Sequence, residues 1–394
     1  MTIRSFFFWS HLVAGVCAGL VILIMSLTGV LLTYERQTIA WADRGYQSAP
    51  VSPEDLPLRV EGLLTQLRAD HPDLKPTAVT LASKPDAPAL VAAERRSLLV
   101  NAYTGEVLGE SAPTVRLVMA ELRAWHRWLA VDGEGRPFAR AITGWSNAIF
   151  LLIVCSGLYL WWPRKWNWAQ LKGIVLFKGG LRGKARDFNW HNVIGVWSAV
   201  PLFIVVLCAV PISFPWASTL VYRAVGEEPP RPAGAREAPA AAGRERRPER
   251  VASFEGLDEL MTRAQQQVPG WRTINLRIPT SPTAPAVFAI DRGDGGQPQL
   301  RSTLTLDRQT RDVVTYEAFS DLTLGRRIRN VMRFAHTGEV LGIPGQTIAG
   351  LASAGGVVLV CTGILLAWRR FRAWLRRRSD RTEFTSASAR STAA

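Results

Sequence analysis

The chain has 394 residues, a formal net charge of +15, 48% hydrophobic residues and only 20% charged ones. A soluble protein this basic would suggest nucleic acid as a partner, but the apolar residues are gathered in blocks that no soluble domain carries. Residues 5–34, 141–163, 188–222 and 340–368 contain no Asp, Glu, Lys or Arg, and each block exceeds the roughly 20 residues that cross a bilayer core.

Residues 1–34 hold the first expected span, over about 9–34. Its apolar run is too long for the core of a secretory signal, and no small-residue cleavage pattern follows Tyr34, so the span is read as retained. Residues 35–120 form a first module outside the membrane, with a helix over Leu56–Ala69 and short strands over Ala78–Ala82, Ala89–Ala93 and Leu98–Asn101. Residues 121–163 give an interfacial helix and the second span, 164–187 a basic loop, and 188–222 the third span. Residues 223–250, rich in Pro, Ala, Arg and Glu, are expected to be a disordered linker. A second module fills 251–325, with a helix over Leu257–Gln267 and strands over Thr273–Ile278, Ala286–Ile290, Gln299–Leu306 and Asp312–Tyr316. An interfacial segment and the fourth span follow over 326–370, then a tail over 371–394 that is expected to be disordered after Ser379. The expected fold is therefore a membrane α-helical protein with four transmembrane helices and two α+β modules.

The charge is concentrated. Arg164, Lys165, Lys172, Lys178, Arg182, Lys184 and Arg186 oppose Asp187 in one loop, and Arg369, Arg370, Arg372, Arg376, Arg377, Arg378 and Arg381 oppose Asp380 in the tail. Both segments flank spans on the same side. The positive-inside rule places that side, with both termini, in the cytoplasm and the two modules outside it. Cys17, Cys155, Cys208 and Cys361 all fall inside spans, so the modules carry no disulfide framework, and no Cys-x-x-Cys occurs.

The two halves repeat. His11-Leu-Val13-Ala-Gly15-Val16 in the first span matches His191-Asn-Val193-Ile-Gly195-Val196 in the third, with Trp9 and Trp190 just ahead. The second span ends Cys155-Ser-Gly157-Leu-Tyr-Leu160-Trp-Trp162-Pro-Arg164, and the fourth ends Cys361-Thr-Gly363-Ile-Leu-Leu366-Ala-Trp368-Arg-Arg370. Arg123-Ala-Trp-His126 and Arg333-Phe-Ala-His336 precede those two spans. Each half enters from the same side, which makes the repeat parallel.

Four of the five histidines sit at matching positions of that repeat. His11 and His191 open spans at the cytoplasmic end; His126 and His336 precede spans at the outer end. An ionisable group at membrane depth is a functional candidate by default. Pairing by depth gives His11 with His191 and His126 with His336, one pair per face. Two neutral imidazoles on facing helices are what a six-coordinate b-type haem takes as axial ligands, and four such ligands imply two haems. Gly15 and Gly195, one turn beyond their histidines, would let a flat macrocycle approach. Arg123, Arg127 and Arg333 at the outer pair, and Arg4, Lys184 and Arg186 at the inner pair, are candidate partners for haem propionates. No Cys-x-x-Cys-His occurs, so the haem would be non-covalent. His71, followed by Pro72, reads as a surface residue. The Trp residues at the span ends read mostly as an interfacial belt.

At these residues the chain resembles the PepSY-associated transmembrane family of iron-regulated inner-membrane proteins. The resemblance covers about 1–375. It rests on the repeated His, the Gly-rich turn and the Ser/Thr-Gly-hydrophobic-x-Leu-x-Trp span end. It also rests on Val100-Asn-Ala-Tyr103-Thr-Gly105-Glu-Val107-Leu, which looks like the closing hairpin of a PepSY domain, with Leu306-Asp-Arg-Gln-Thr310-Arg-Asp-Val313-Val as a copy lacking the Gly. It implies two periplasmic PepSY-like modules, a bacterial inner-membrane location, and reduction of ferric-siderophore or other Fe(III) chelates by electrons carried across the bilayer. No Gly-x-Gly-x-x-Gly follows a strand, so the donor would be external, either a quinol or a cytoplasmic flavoprotein. Two alternatives remain open at this level: an iron or siderophore transporter component, and a non-enzymatic PepSY regulator of an envelope protein. The spans carry no interior charge and no matched mid-span break, which counts against transport.

Overall fold

The computed structural model describes residues 2–94, 96–163, 167–230 and 253–391; most of the expected linker lies outside them. Helix α1 (Ile3–Leu32) is followed by α2 (Glu35–Ala42), α3 (Val60–Asp70), strands β1 (Pro76–Ala82), β2 (Ala89–Ala93), β3 (Arg96–Val100) and β4 (Val107–Glu110), then α4 (Pro113–Trp128) and α5 (Arg136–Trp161). After α6 (Trp168–Val175) the order recurs: α7 (Gly183–Ser213), α8 (Pro215–Arg223), α9 (Leu257–Gln267), β5 (Thr273–Arg277), β6 (Ala286–Asp291), β7 (Arg301–Leu306), β8 (Val313–Ala318), α10 (Leu324–His336) and α11 (Gly342–Ser391).

Four helices are long and apolar enough to cross a membrane: Ile3–Leu32, Gly133–Trp161, Gly183–Ser213 and Glu339–Arg378. They pack as one bundle around Val154, Leu202 and Ala352, with Phe150, Phe203 and Leu359 against them. Small residues set the spacing. A Cβ on Gly19 would touch Ile364 at 3.5 Å, and one on Gly356 would touch Ser26 at 3.1 Å. Val13, Leu20, Val200 and Leu351 point outward and stay exposed, as expected where lipid rather than water is the solvent.

Two expectations about the helices are corrected. The third span does not run to 222: α7 ends at Ser213, Phe214 is extended, and Pro215 opens α8. Phe214 takes the extended backbone that a residue before proline favours, whereas Pro201 and Pro211 are accommodated inside α7; the uncharged composition of 214–222 gives no sign of which proline ends the helix. The segment after Ser379, expected to be disordered, continues α11 to Ser391. No Gly or Pro follows Gly363 in that helix, so nothing interrupts its hydrogen-bond ladder.

The strands of the two expected modules form one antiparallel sheet in the order β4-β3-β2-β1-β5-β6-β7-β8. Each half alone would leave an edge strand with unpaired N–H and C=O groups. Here β1 and β5 satisfy each other, from Ala78 opposite Arg277 to Ala82 opposite Thr273, and Asn275 Nδ2 donates to Thr80 Oγ1 across the seam at 2.7 Å. One core runs beneath both halves: Leu63, Leu64, Leu67, Val79, Val91, Ile274, Leu276, Phe288 and Leu304 are all buried in it. The helices above the seam cap each other. Glu61 N donates to Asp258 Oδ1 at 2.9 Å, and Asp258 N donates to Glu61 Oε1 at 3.1 Å, so each carboxylate satisfies an otherwise orphaned first-turn N–H of its neighbour.

The sheet is seated on one end of the bundle. Arg36 reaches Asp294 O at 3.4 Å and Glu339 at 3.1 Å. Gln299 Nε2 donates to Val340 O at 3.4 Å, and Ser111 Oγ donates to Asp43 Oδ2 at 2.6 Å. Connectivity places the start of α1, the α5–α7 connection and the end of α11 at the opposite end. The bundle thus has a sheet side and a terminal side.

Candidate functional site

His11 lies in α1 and His191 in α7, both near the terminal side. Their rings approach to 6.4 Å between centroids, at 83°. His126 lies in the last turn of the amphipathic helix α4 and His336 ends α10, on the sheet side. Those rings are 6.1 Å apart at 49°. The structure thus brings together the same two pairs that depth in the sequence suggests, and each pair joins one half of the chain to the other. His126 lies against Thr28, 17 residues from His11 in the same helix, so the pairs are about 25 Å apart along α1. His71 caps the end of α3 and is exposed, as expected.

All four rings are held by Nδ1. His11 Nδ1 is 3.0 Å from Ser156 Oγ, His126 Nδ1 is 3.0 Å from Thr28 Oγ1, and His191 Nδ1 is 2.9 Å from Thr362 Oγ1. His336 Nδ1 is 2.9 Å from Val205 O and donates to it. This leaves Nε2 as the nitrogen available to the space between the paired rings.

Glycines back three of the rings. A Cβ at Gly157 would stand 3.3 Å from His11 Cε1, one at Gly363 would stand 3.4 Å from His191 Cε1, and one at Gly29 would stand 3.6 Å from His126 Cε1. The glycines expected to do this, Gly15 and Gly195, do not lie against the rings: nothing comes within 4 Å of a Cβ on Gly15, and Gly195 faces Leu359. The residues missed in the sequence are therefore Thr28, Ser156, Thr362 and their following glycines. The signal was the Ser/Thr-Gly of the repeated span ends, which Thr28-Gly29 shares.

The cations divide by side. At the sheet side Arg123 pairs with Glu35. Arg127 stacks over Trp128 at 5.1 Å. Its pKa is held below the ordinary arginine value by burial, then by the charges of Arg140, Arg333 and Arg123. Three guanidinium groups pressing on a fourth form a cluster short of negative charge. At the terminal side Arg4 donates to Leu160 O at 2.7 Å, while Arg186 and Arg369 each meet buried Asp187 at 2.9 Å. Lys184 is exposed. Near each pair one indole, Trp128 or Trp161, has a buried N–H without an acceptor.

Two imidazoles on opposite sides of one metal ion, each bonded at about 2.0–2.1 Å, would have their ring centres roughly 6.3 Å apart. Both pairs meet that spacing, at 6.4 and 6.1 Å. Among the described residues no group of three or more His, Cys, Asp or Glu gathers as it would for a protein-only metal site. The donor set is two imidazoles, unsatisfied N–H groups and clustered guanidinium groups, which fits a planar metal macrocycle bearing carboxylates.

A family model described as the PepSY-associated TM region matches residues 8–370. No curated protein matches the sequence.

Proposed function

The chain belongs to the family of the PepSY-associated TM region, and from that premise we propose that it is a di-haem reductase of the bacterial inner membrane, passing electrons outward to ferric-siderophore or other Fe(III) chelates. The single observation that carries the proposal is the pair of imidazole pairs, each with ring centres 6.4 or 6.1 Å apart and every Nδ1 already engaged.

In this reading His11 and His191 would hold one haem b near the cytoplasmic face, and His126 and His336 would hold the other near the periplasm. Haem, when bound, supplies one-electron chemistry at a potential set by its ligands, nearby charge and burial. The chain's own residues do the rest. Four spans, in two parallel repeats, exclude water and fix the facing helices. Arg127, Arg140 and Arg333 would meet the haem carboxylates at the outer pair. Arg4 and Arg186 flank the inner one. The eight-stranded sheet roofs the outer pair, because α4 and α10 leave it directly, and it sets which chelate is admitted. Electrons enter on the cytoplasmic side from a quinol or a flavoprotein and leave beneath the sheet. The Fe(III) substrate gains one electron, and the resulting Fe(II) is held less tightly by hard oxygen ligands.

Absorbance of the purified protein tests this. Two haems per chain are expected, and Ala at any of the four histidines should remove about one of them while His71→Ala removes none. A chain that purifies without a haem spectrum after expression with ample haem supply refutes the proposal.

A further inference from the structure

A two-residue unit recurs at three of the four histidines. Thr28-Gly29 faces His126, Ser156-Gly157 faces His11, and Thr362-Gly363 faces His191. In each the hydroxyl meets Nδ1 and the glycine backs Cε1.

A hydroxyl carries one proton and two lone pairs. Thr28 Oγ1 donates to Ile24 O, Ser156 Oγ to Leu152 O and Thr362 Oγ1 to Val358 O, each at 2.7 Å and each four residues back in its own helix. With its proton committed there, the oxygen can only accept from the ring. The ring proton therefore sits on Nδ1, and Nε2 keeps its lone pair. A backbone carbonyl can only accept, so Val205 O imposes the same tautomer on His336.

We infer that Thr28, Ser156 and Thr362 are positioning residues: each fixes the tautomer and ring orientation of one histidine so that its Nε2 lone pair faces the opposing ring, and the glycine that follows admits the ring. The purpose of that lone pair rests on the haem reading above. The tautomer itself does not.

The fourth position departs from the pattern. Thr28-Gly29 lies 17 and 18 residues after His11, and the same offsets from His191 fall on Cys208-Ala209. A thiol is a weak acceptor, and His336 bonds the main chain instead. One ring of the sheet-side pair is thus fixed by backbone, whereas both rings of the terminal-side pair depend on side chains. Substitution of hydroxyls should affect both ligands of one site and only one ligand of the other.

The test uses the full-length chain in detergent with 15N-labelled histidine. Ring nitrogen shifts in the haem-free chain should report Nδ1–H and a bare Nε2 at His11, His126, His191 and His336, and exchange between forms at His71. Thr362→Val keeps the shape and removes the acceptor. His191 should then lose its single tautomer, and haem affinity at that site should fall roughly tenfold to a hundredfold, the usual effect of losing such a partner. Thr362→Ser should restore both, and Ser156→Ala gives the same readout at His11 should the valine variant fail to fold. A protonated Nε2 in the unaltered chain, or a tautomer unchanged in both variants, overturns the inference. Correct tautomers in a chain that never takes up haem overturn the haem reading and leave this inference standing.

Discussion

The glycines behind the rings give the sharpest quantitative expectation, and Gly363 is the best placed to test it. A Cβ there would stand 3.4 Å from His191 Cε1, just inside the ordinary 3.5–4.0 Å carbon contact. Gly363→Ala therefore asks the ring to give by a few tenths of an ångström. It also gains about 1 kcal/mol of helix propensity, so the two effects nearly cancel. Gly363→Val adds methyl carbons about 1.5 Å beyond Cβ. The ring must then withdraw by about an ångström, which breaks its 2.9 Å contact with Thr362. Overpacking of this kind costs about 1–3 kcal/mol, and the lost hydrogen bond about 1 more. The sum, about 2–4 kcal/mol, corresponds to a roughly 30- to 1000-fold weakening of whatever His191 holds. The assay is haem retained per chain, read by absorbance after purification of both variants, with thermal melting as a check on folding. Equal retention by Gly363→Val and Gly363→Ala, or loss in the alanine variant alone, would refute the reasoning.

The proposed orientation, with the basic segments in the cytoplasm, expects alkaline phosphatase fused after residue 240 to be active and after residue 175 inactive; the reverse pattern would invert it. Asp187→Asn should destabilise the terminal end by about 1–3 kcal/mol, since the buried carboxylate between Arg186 and Arg369 is replaced by a neutral group; an unchanged melting temperature would show that solvent already satisfies those guanidinium groups. Ile274→Ala, at a fully buried seam position, should cost about 2–5 kcal/mol and open both halves of the sheet to protease together. Protection of residues 60–110 while 257–318 is cut would show two independent modules instead.

Much of this protein is written locally. An uncharged run long enough to cross a bilayer identifies a span without any tertiary knowledge, because lipid leaves the backbone few other options. Seven of the eight strands and α9 were legible from periodicity, Leu257–Gln267 to the residue, whereas β4 was marked only by the hairpin resemblance around Gly105. The histidine pairs were legible because the chain repeats itself, so that two copies of one motif revealed four related positions. The end of the third span was not legible from Pro215 alone, because Pro201 and Pro211 sit inside the same helix and 214–222 is as uncharged as the span itself. The seam between β1 and β5 is different. Alternation shows that a strand has a buried face, yet it says nothing about which edge meets which, and Thr80 and Asn275 are 195 residues apart. The hydroxyls of Thr28, Ser156 and Thr362 read as ordinary small polar residues in helices. Their proton bookkeeping exists only once α1, α5 and α11 turn them toward imidazole rings, and those rings belong to α4, α1 and α7. Which side chains lie along a helix is a property of the sequence; what stands opposite them is decided by how the helices pack.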